Sequence, residues 1–245
     1  SHVFTVLSGD KQENYSADYY SAMHKNWFAH PNFGLFRKIL SVCDKFFGHK
    51  RIGVLDVGCG NGDFLKFFFE RRPRADLYGI DINNTIFPGV NFIADDFNSH
   101  LFDRQFDIVT GLMVAEHVME PNNFIEKIYK LLNPGGLAYL VTVNNDSLIY
   151  KLARLLRKLG VDEPFERLYH HHHLQHYTNH SLRLLLERNN FKILEQKNHN
   201  FPLSAVDLPQ SDFITRKVYY YGIVFLFLWS RWLGMGINQT IVCRK

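Results

Sequence analysis

The sequence predicts an α/β domain in which helices cover both faces of a parallel sheet. Short apolar runs that are typical of buried strands alternate with helical patterns over much of residues 35–145. The first run passes into a glycine-rich loop, and the next two lead into aspartates. Glycines and acids at successive strand ends are typical of the edge at which such a sheet binds its ligand.

The predicted elements follow in a regular order. Apolar residues recur at helical spacing from Leu35 to Phe47, which predicts a first helix. The patterns then predict a strand over 51–57, a helix over 64–71 and strands over 76–82, 90–97 and 106–114. They go on to predict a helix within 122–136 that Pro134 and Gly135 stop, and a strand over 137–145. Beyond these they predict an amphipathic helix over 147–160, a capped helix over 181–188 and strands over 191–196 and 238–245.

The composition indicates one large domain of the reducing cytoplasm. The 28 Lys and Arg against 24 Asp and Glu leave a formal charge of +4, which is too mild to indicate a nucleic-acid partner. Cys43, Cys59 and Cys243 are too scattered for a disulfide framework or a zinc site. The first thirty residues show no signal-peptide pattern, and the apolar run at 218–230 is shorter than the roughly 18–20 residues of a spanning helix. We therefore expect a cytoplasmic protein without a spanning segment.

The stretch "VLDVGCGNGDF" carries Gly58, Gly60 and Gly62 directly after a predicted strand. Glycine permits positive φ and lets a ligand touch bare backbone. The dinucleotide fingerprint G-x-G-x-x-G would need a glycine at Asp63. Carboxylates at Asp56 and Asp63 also suit a pyrophosphate poorly, so the loop favours a cationic ligand.

Two further acidic positions follow the next strands. Asp81 ends the second predicted strand, nineteen residues after Gly62, where an acid can accept hydrogen bonds from both ribose hydroxyls of an adenosine-containing ligand. Asp95 and Asp96 end the third strand. A single acid at a strand end is as easily a loop cap, but acids at three successive strand ends indicate a binding edge.

With these residues the chain resembles the class I S-adenosylmethionine-dependent methyltransferases that carry D-x-G-C-G-x-G and E-H-V motifs. The resemblance is close over 51–143 and looser over 173–193. It implies a doubly wound, Rossmann-like fold whose seven-strand sheet is mostly parallel, with the last strand antiparallel. It also implies S-adenosyl-L-methionine as the cofactor, whose sulfonium and ammonium groups suit the acids of the loop.

The resemblance further implies a set of cofactor-binding residues. The loop from Asp56 to Gly62 would wrap the methionine part, Asp81 would hold the ribose, and Asp96 with Phe97 would border the adenine. The segment 106–118 would run under the cofactor toward the acceptor. The residues expected to bind the cofactor are Asp56, Gly58, Cys59, Gly60, Gly62, Asp81, Ile82, Asp96, Phe97, Leu112 and Met113.

Histidines are the candidate catalytic residues, because an unperturbed imidazole titrates near neutral pH. His117 follows the fourth strand, and His173 precedes the family's L-x-x-[FY]-T pattern, with His176 inside it. We expect His173 to be the base and His117, placed at a helix start, to fix the acceptor hydroxyl; alternatively, His117 only bonds to backbone. At least two of residues 170–172, all histidines, are expected at the surface.

No metal is predicted. Quinone-pathway O-methyltransferases that the chain resembles bind a metal through E-x-x-E-H, but Met113 stands here in place of the first acid. That departure also disfavours a polyphenol acceptor. The adjacency of the histidines does not by itself supply a metal-binding geometry.

The expected organisation is one methyltransferase domain over 1–245. It comprises an N-terminal helical cap (1–48), a cofactor-binding core (49–143), an acceptor-site lid (144–180) and a C-terminal part of the sheet (181–245) that includes the apolar segment 218–230. That segment is interpreted as a core helix or dimer face in preference to a peripheral membrane contact. We expect a monomer or homodimer.

The leading function is methyl transfer to a hydroxyl of a small molecule or sugar, since the chain loosely resembles methyltransferases of polysaccharide and glycolipid synthesis. Two alternatives stay open. One is a catalytically silent binding subunit that has kept the fold. The other is a nicotinamide-dependent oxidoreductase, which Asp63 disfavours.

Overall fold

The computed structural model describes residues 2–4, 29–83, 87–169, 172–206 and 212–245. The strands are β1 (Val3–Phe4), β2 (Gly53–Val57), β3 (Asp76–Asp81), β4 (Asn91–Ala94), β5 (Phe106–Leu112), β6 (Leu132–Val143), β7 (Gln175–His176), β8 (Lys192–His199) and β9 (Asn238–Arg244). The helices are α1 (Phe33–Phe47), α2 (Asp63–Arg71), α3 (Pro121–Leu131), α4 (Leu148–Lys158), α5 (Glu163–Leu168), α6 (Asn179–Arg188) and α7 (Phe213–Trp232), with 3₁₀ turns at Ala115–His117 and Leu203–Ala205.

Seven strands form one sheet in the order β4-β3-β2-β5-β6-β9-β8. The pairs from β4 to β6 are all parallel, so β2, β3 and β4 end at the same edge. β9 runs antiparallel to both neighbours, β6 and β8. This confirms the predicted mostly parallel seven-strand sheet with a reversed last strand.

Helices cover both faces of this sheet. Successive residues of β2 point to opposite faces, so Val54 lies in one buried cluster and Leu55 in the other. The cluster around Val54 includes apolar residues of α1 and α2, and the cluster around Leu55 includes apolar residues of α3 and α6. The two clusters form the core and leave the carboxyl edge of β2, β3 and β4 to be shaped by loops.

Local signals fix most helix ends. The side chain of Asn32 accepts a hydrogen bond from the amide of Leu35 and begins α1 two residues before the predicted start. Ser147 caps α4 by accepting from Tyr150, and Thr178 and Ser181 form a capping box at α6.

The helix that Pro134 and Gly135 were expected to stop ends slightly earlier. α3 ends at Leu131, because Leu132 already has extended dihedrals and pairs with Phe106 of β5. Asn133 precedes a proline, which disfavours helical backbone there. Residues 132–136 therefore belong to β6.

Two features beyond the main sheet bear on the predicted segments. β1 pairs antiparallel with β7, so Val3 lies opposite His176, although their sequence patterns gave no sign of this pairing. The apolar run at 218–230 lies within α7, a single helix. Among the helices of the described ranges, none combines the length and apolar character that crossing a bilayer requires.

Candidate active site

The glycine loop turns sharply at the end of β2. Gly58 and Gly62 have φ of 65° and 71°, a left-handed conformation that side chains rarely adopt. A Cβ at Gly58 would lie 2.5 Å from Cγ2 of Val114, and one at Gly62 would lie 2.5 Å from Cζ of Phe92. These two glycines are therefore required by the turn and by the side chains packed on it.

Backbone amides of the loop are tied to β3. Gly58 and Cys59 both donate to the carbonyl of Ile80, at 2.8 and 3.2 Å. The amide of Gly60 donates to Oδ2 of Asp81 at 2.9 Å. These bonds hold the loop over the end of β3. The glycine loop and Asp81, two parts of the predicted cofactor site, are therefore joined directly.

Asp81 is the centre of this edge. Its Oδ1 accepts from the backbone amide of Asn83 at 2.9 Å and from that residue's side-chain amide at 3.1 Å, while Oδ2 accepts from Gly60. An ionised carboxylate offers about four acceptor sites, so capacity remains for a ligand hydroxyl. The neighbouring Ile82, whose side chain is 53% exposed, adds an apolar surface beside it.

Asp56 lies beneath the loop. Its Oδ1 accepts from the hydroxyl of Thr110 at 2.6 Å, which joins β2 to β5. Burial raises the pKa of Asp56 to about 7. The carboxyl group thus supports the loop from below and changes its charge near neutral pH.

Cys59 has a structural environment. Its side chain is buried, and burial raises the pKa of its thiol above the ordinary value. A thiol with a raised pKa is a poor nucleophile. Cys59 therefore contributes packing and its backbone amide to the loop.

The remaining predicted cofactor residues lie along the ends of β4 and β5. Asp96 is exposed and its carboxylate accepts from the amide of Asn98, whereas the ring of Phe97 is buried against Phe124 with centroids 5.4 Å apart. Leu112 ends β5, and Met113 follows it with φ of 62°. A positive φ at a non-glycine residue costs energy and is concentrated at functional sites.

His117 and His173 converge. Their ring centroids are 5.0 Å apart. Nδ1 of His117 lies 2.8 Å from the carbonyl oxygen of His172. Because a carbonyl only accepts, Nδ1 carries the proton and Nε2 keeps its lone pair. Burial lowers the pKa of His117, so its imidazole is neutral at neutral pH.

The expected position of His117 at a helix start is wrong. It is the last residue of the 3₁₀ turn Ala115–His117, and α3 begins only at Pro121. The turn ends because Val118 adopts extended dihedrals. The dipole of a helix N-terminus therefore does not act on its imidazole.

His176 and His172 are both buried. His176 is fully buried on β7, with its ring centroid 4.5 Å from that of Tyr169, and burial lowers its pKa to about 4. Neither ring nitrogen of His176 has a hydrogen-bond partner among the residues described. His172 is 9% exposed, and residues 170 and 171 lie outside the described ranges, so the expectation that at least two of the three lie at the surface stays a prediction.

Glu116 is a site residue that the sequence prediction missed. It is fully buried, and its Oε2 accepts from the hydroxyl of Thr142 at 2.7 Å. Within the part of the chain that the structure describes, its Oε1 has no hydrogen-bond partner. Burial raises the pKa of Glu116 to about 7. Its place in the E-H-V motif, directly before His117, was the available signal.

Comparison with protein families decides the assignment. A family described as a methyltransferase domain matches residues 30–196, which is more than half of the chain. The chain belongs to this methyltransferase family. The resemblance expected from the sequence is thereby confirmed, together with the Rossmann-like fold.

Individual relatives of this methyltransferase match in part or at low identity. A ubiquinone biosynthesis O-methyltransferase from Psychrobacter cryohalolentis is 34% identical over 115 residues, which cover 41% of this chain and 44% of the relative. The chain spans less than half the length of the curated relatives it matches.

Solved structures share the methyltransferase fold across nearly the whole chain. A chain in the complex between the Haloferax volcanii Trm112 methyltransferase activator and a methyltransferase aligns with a TM-score of 0.64 at 15% identity, covering 93% of this chain and 96% of that one. The plantazolicin methyltransferase BpumL, solved with a monoazolic desmethylPZN analog and SAH, aligns with a TM-score of 0.60 at 17% identity, covering 93% and 88%.

The residues near His117 fit a metal ion despite the missing first acid of E-x-x-E-H. One potential ligand atom each from Glu116, His117 and His173 lies within 4.8 Å of the others. A carboxylate with two imidazoles suits divalent transition metals. A metal held there would act as a Lewis acid on an acceptor oxygen. The prediction of no metal rested on Met113 and on the adjacency of the histidines, and it left out the buried Glu116 beside His117 and His173.

Proposed function

We propose that this S-adenosylmethionine-dependent methyltransferase moves the methyl group of its cofactor to a hydroxyl of a small molecule or sugar. The observation that carries the proposal is the approach of His117, in the turn after β5, to His173, just before β7, with ring centroids 5.0 Å apart. Val114, three residues before His117, packs against Gly58 of the glycine loop. A hydroxyl nucleophile must lose its proton during transfer, and a positioned histidine is the commonest base for that step.

The cofactor's methyl group is already activated by its sulfonium, so the protein mainly positions the acceptor. In this proposal Asp81 accepts from the ribose hydroxyls, and the loop from Asp56 to Gly62 surrounds the methionine part. Asp96 and Phe97 border the adenine, while Ile82, Leu112 and Met113 form apolar walls. Positioning of this kind supplies roughly 7–11 kcal/mol of barrier reduction.

Within the pair, the geometry favours His117 as the base. Its bond to the carbonyl of His172 fixes the tautomer that leaves Nε2 unprotonated, and burial keeps the ring neutral. The sequence had favoured His173 instead, as a histidine of the acceptor-site lid that meets the substrate directly. His173 then fixes the acceptor hydroxyl. His176 packs near His173, with ring centroids 6.0 Å apart, and helps to orient its imidazole.

The acceptor itself is sought by screening. Metabolites and sugar nucleotides are incubated with the enzyme and S-adenosylmethionine, and release of S-adenosylhomocysteine is measured. With an acceptor in hand, His117→Gln is expected to lower kcat by about 10²–10⁴-fold while leaving cofactor affinity unchanged. The control is His49→Gln, because His49 is an exposed residue just after α1 and none of the residues assigned to the site.

Two outcomes would contradict the proposal. If His117→Gln and His173→Gln each lower turnover only a few-fold, the enzyme works by placement alone and the pair is structural. If cofactor binds but no member of a broad hydroxyl panel is methylated, the alternative of a silent binding subunit is supported instead. The name of the Psychrobacter relative, an O-methyltransferase, supports the choice of a hydroxyl acceptor.

A further inference from the structure

α7 presents a continuous apolar stripe to solvent. Six of its residues recur at alternating spacings of four and three, which places them on one helix face. Each of the six is 58–77% exposed. This outer stripe consists of Ile214, Val218, Tyr221, Phe225, Leu228 and Trp232.

The opposite face attaches α7 to the domain. Phe227 and Ser230 are its buried residues, and Phe227 lies in one apolar cluster with Val143 of β6 and Tyr150 of α4. The stripe is therefore the face turned away from the body of the protein. It runs for roughly 27 Å along the helix, from the rise of 1.5 Å per residue. Monomeric soluble proteins rarely leave so long an apolar face exposed.

Basic residues border the stripe. α7 carries three basic residues and no acidic residue, and an exposed carboxylate, Asp212, caps its N-terminus. Lys217 lies one turn from Ile214 and from Tyr221, and Arg231 lies one turn from Leu228, so both cations border the stripe. Such a surface complements a partner that offers an apolar interior to the stripe and anionic groups to the cations beside it.

Two possible occupants differ in how they meet these cations. If a second copy paired through the centre of the stripe, Lys217 would approach Arg231 in an antiparallel arrangement, or its own equivalent in a parallel one. Either arrangement sets like charges together, and the carboxylate at the start of α7, Asp212, is already engaged by the amides of Ile214 and Thr215 and the hydroxyl of Thr215. An anionic bilayer surface satisfies both cations at once.

The aromatic content of the stripe also suits a bilayer. Tyr221 and Trp232 lie within it, and tyrosine and tryptophan are enriched where headgroups meet hydrocarbon. A helix with an apolar face, bordering cations and a length of twenty residues has the character of one that lies in the membrane plane.

We propose that α7 docks this enzyme flat on an anionic lipid surface, with the outer stripe among the lipids and Lys217 and Arg231 at the headgroups. Val143, which shares a cluster with α7, ends β6 at the same sheet edge as the glycine loop. Docking through α7 would thus hold the active-site edge close to the bilayer. The proposal is independent of which hydroxyl is methylated.

The test is co-sedimentation of the full chain with vesicles of phosphatidylcholine alone or mixed with phosphatidylglycerol. Wild type is expected to bind the mixed vesicles and to be released by high salt. Phe225→Ser with Trp232→Ser should weaken binding at least about tenfold, because two exposed aromatics no longer enter the lipid. Lys217→Glu with Arg231→Glu should weaken it about tenfold or more, and only for anionic vesicles.

A matched control removes two exposed apolar side chains elsewhere. Leu101→Ser with Phe46→Ser, at side chains that are 90% and 38% exposed, should bind vesicles as wild type does. Thermal unfolding and S-adenosylhomocysteine titration check that every variant is folded, and they also separate a failure here from a failure of the proposed function.

Three results would overturn the proposal. Wild type could fail to sediment with either vesicle, or the stripe variant could bind as well as the control. Sedimentation velocity could instead show a wild-type dimer that the stripe variant converts to a monomer without any vesicle binding, which would assign the stripe to a second copy of the chain.

Discussion

At the scale of single residues, Asp81 joins the glycine loop to the proposed ribose site through one carboxylate. Asp81→Ala removes the acceptor for the amide of Gly60 and the proposed ribose bonds together. We expect S-adenosylhomocysteine to bind more weakly, by about 1.5–3 kcal/mol for each charge-assisted bond lost. Titration calorimetry measures the change.

The control for Asp81 lies on the same strand. Asp76 is at the opposite end of β3, where it pairs with Arg51 at the surface. Asp76→Ala is expected to leave the dissociation constant unchanged. An unchanged constant for Asp81→Ala as well would show that Asp81 does not hold the ribose.

His176 makes stability depend on pH. Its folded pKa of about 4 lies below the ordinary 6.5, so the unfolded chain binds the proton more readily. The contribution of the neutral ring to the free energy of unfolding is present above pH 6.5 and is lost as the pH falls toward 4. The shift corresponds to about 3 kcal/mol over that window.

His176→Phe should flatten this part of the pH profile, because phenylalanine fills the same aromatic site without titrating. Free energies of unfolding from urea titrations between pH 4 and 7 give the comparison. His49→Phe, at an exposed residue, serves as the control and should keep the wild-type slope. If His176→Phe keeps that slope too, burial of His176 does not govern the pH dependence.

At the scale of elements, the glycine loop depends on two separate requirements. Gly62 and Gly234 both have positive φ, at 71° and 66°. A Cβ at Gly62 would strike Phe92, whereas one at Gly234 would meet nothing within 4 Å. The pair therefore separates backbone strain from crowding.

Gly234→Ala is expected to lower the free energy of unfolding by about 1–2 kcal/mol, the cost of a left-handed residue. Gly62→Ala should cost that amount plus about 1–3 kcal/mol for the clash, and it should also weaken cofactor binding. Urea unfolding of both variants measures the difference. Equal losses would mean that Phe92 moves aside and that crowding does not shape the loop.

Elements could be predicted where their sequence signal lies within one short stretch of the chain. The strand before Asp56, the glycine loop and the helix after it lie in one continuous stretch, so their order and spacing could be recognised from the sequence. The end of α3 was not predictable in the same way, because Leu132 is extended by its pairing with Phe106. That pairing joins residues far apart in the chain.

At the scale of the whole molecule, the sequence predicted the main sheet but not the contacts that the histidines make. Parallel order follows from alternating strands and helices. The bond from His117 to the carbonyl of His172 and the pairing of Val3 with His176 depend on contacts between distant segments. The burial of Glu116 and its approach to His173 also depend on contacts between distant segments.

The central claim is that this fold binds S-adenosylmethionine as a methyl donor. Titration calorimetry of the full chain with S-adenosylmethionine, S-adenosylhomocysteine and NAD tests it most directly. We predict that both sulfur-containing ligands bind at one site and compete with each other, and that NAD gives no heat. Tight NAD binding with no response to S-adenosylmethionine would contradict the account.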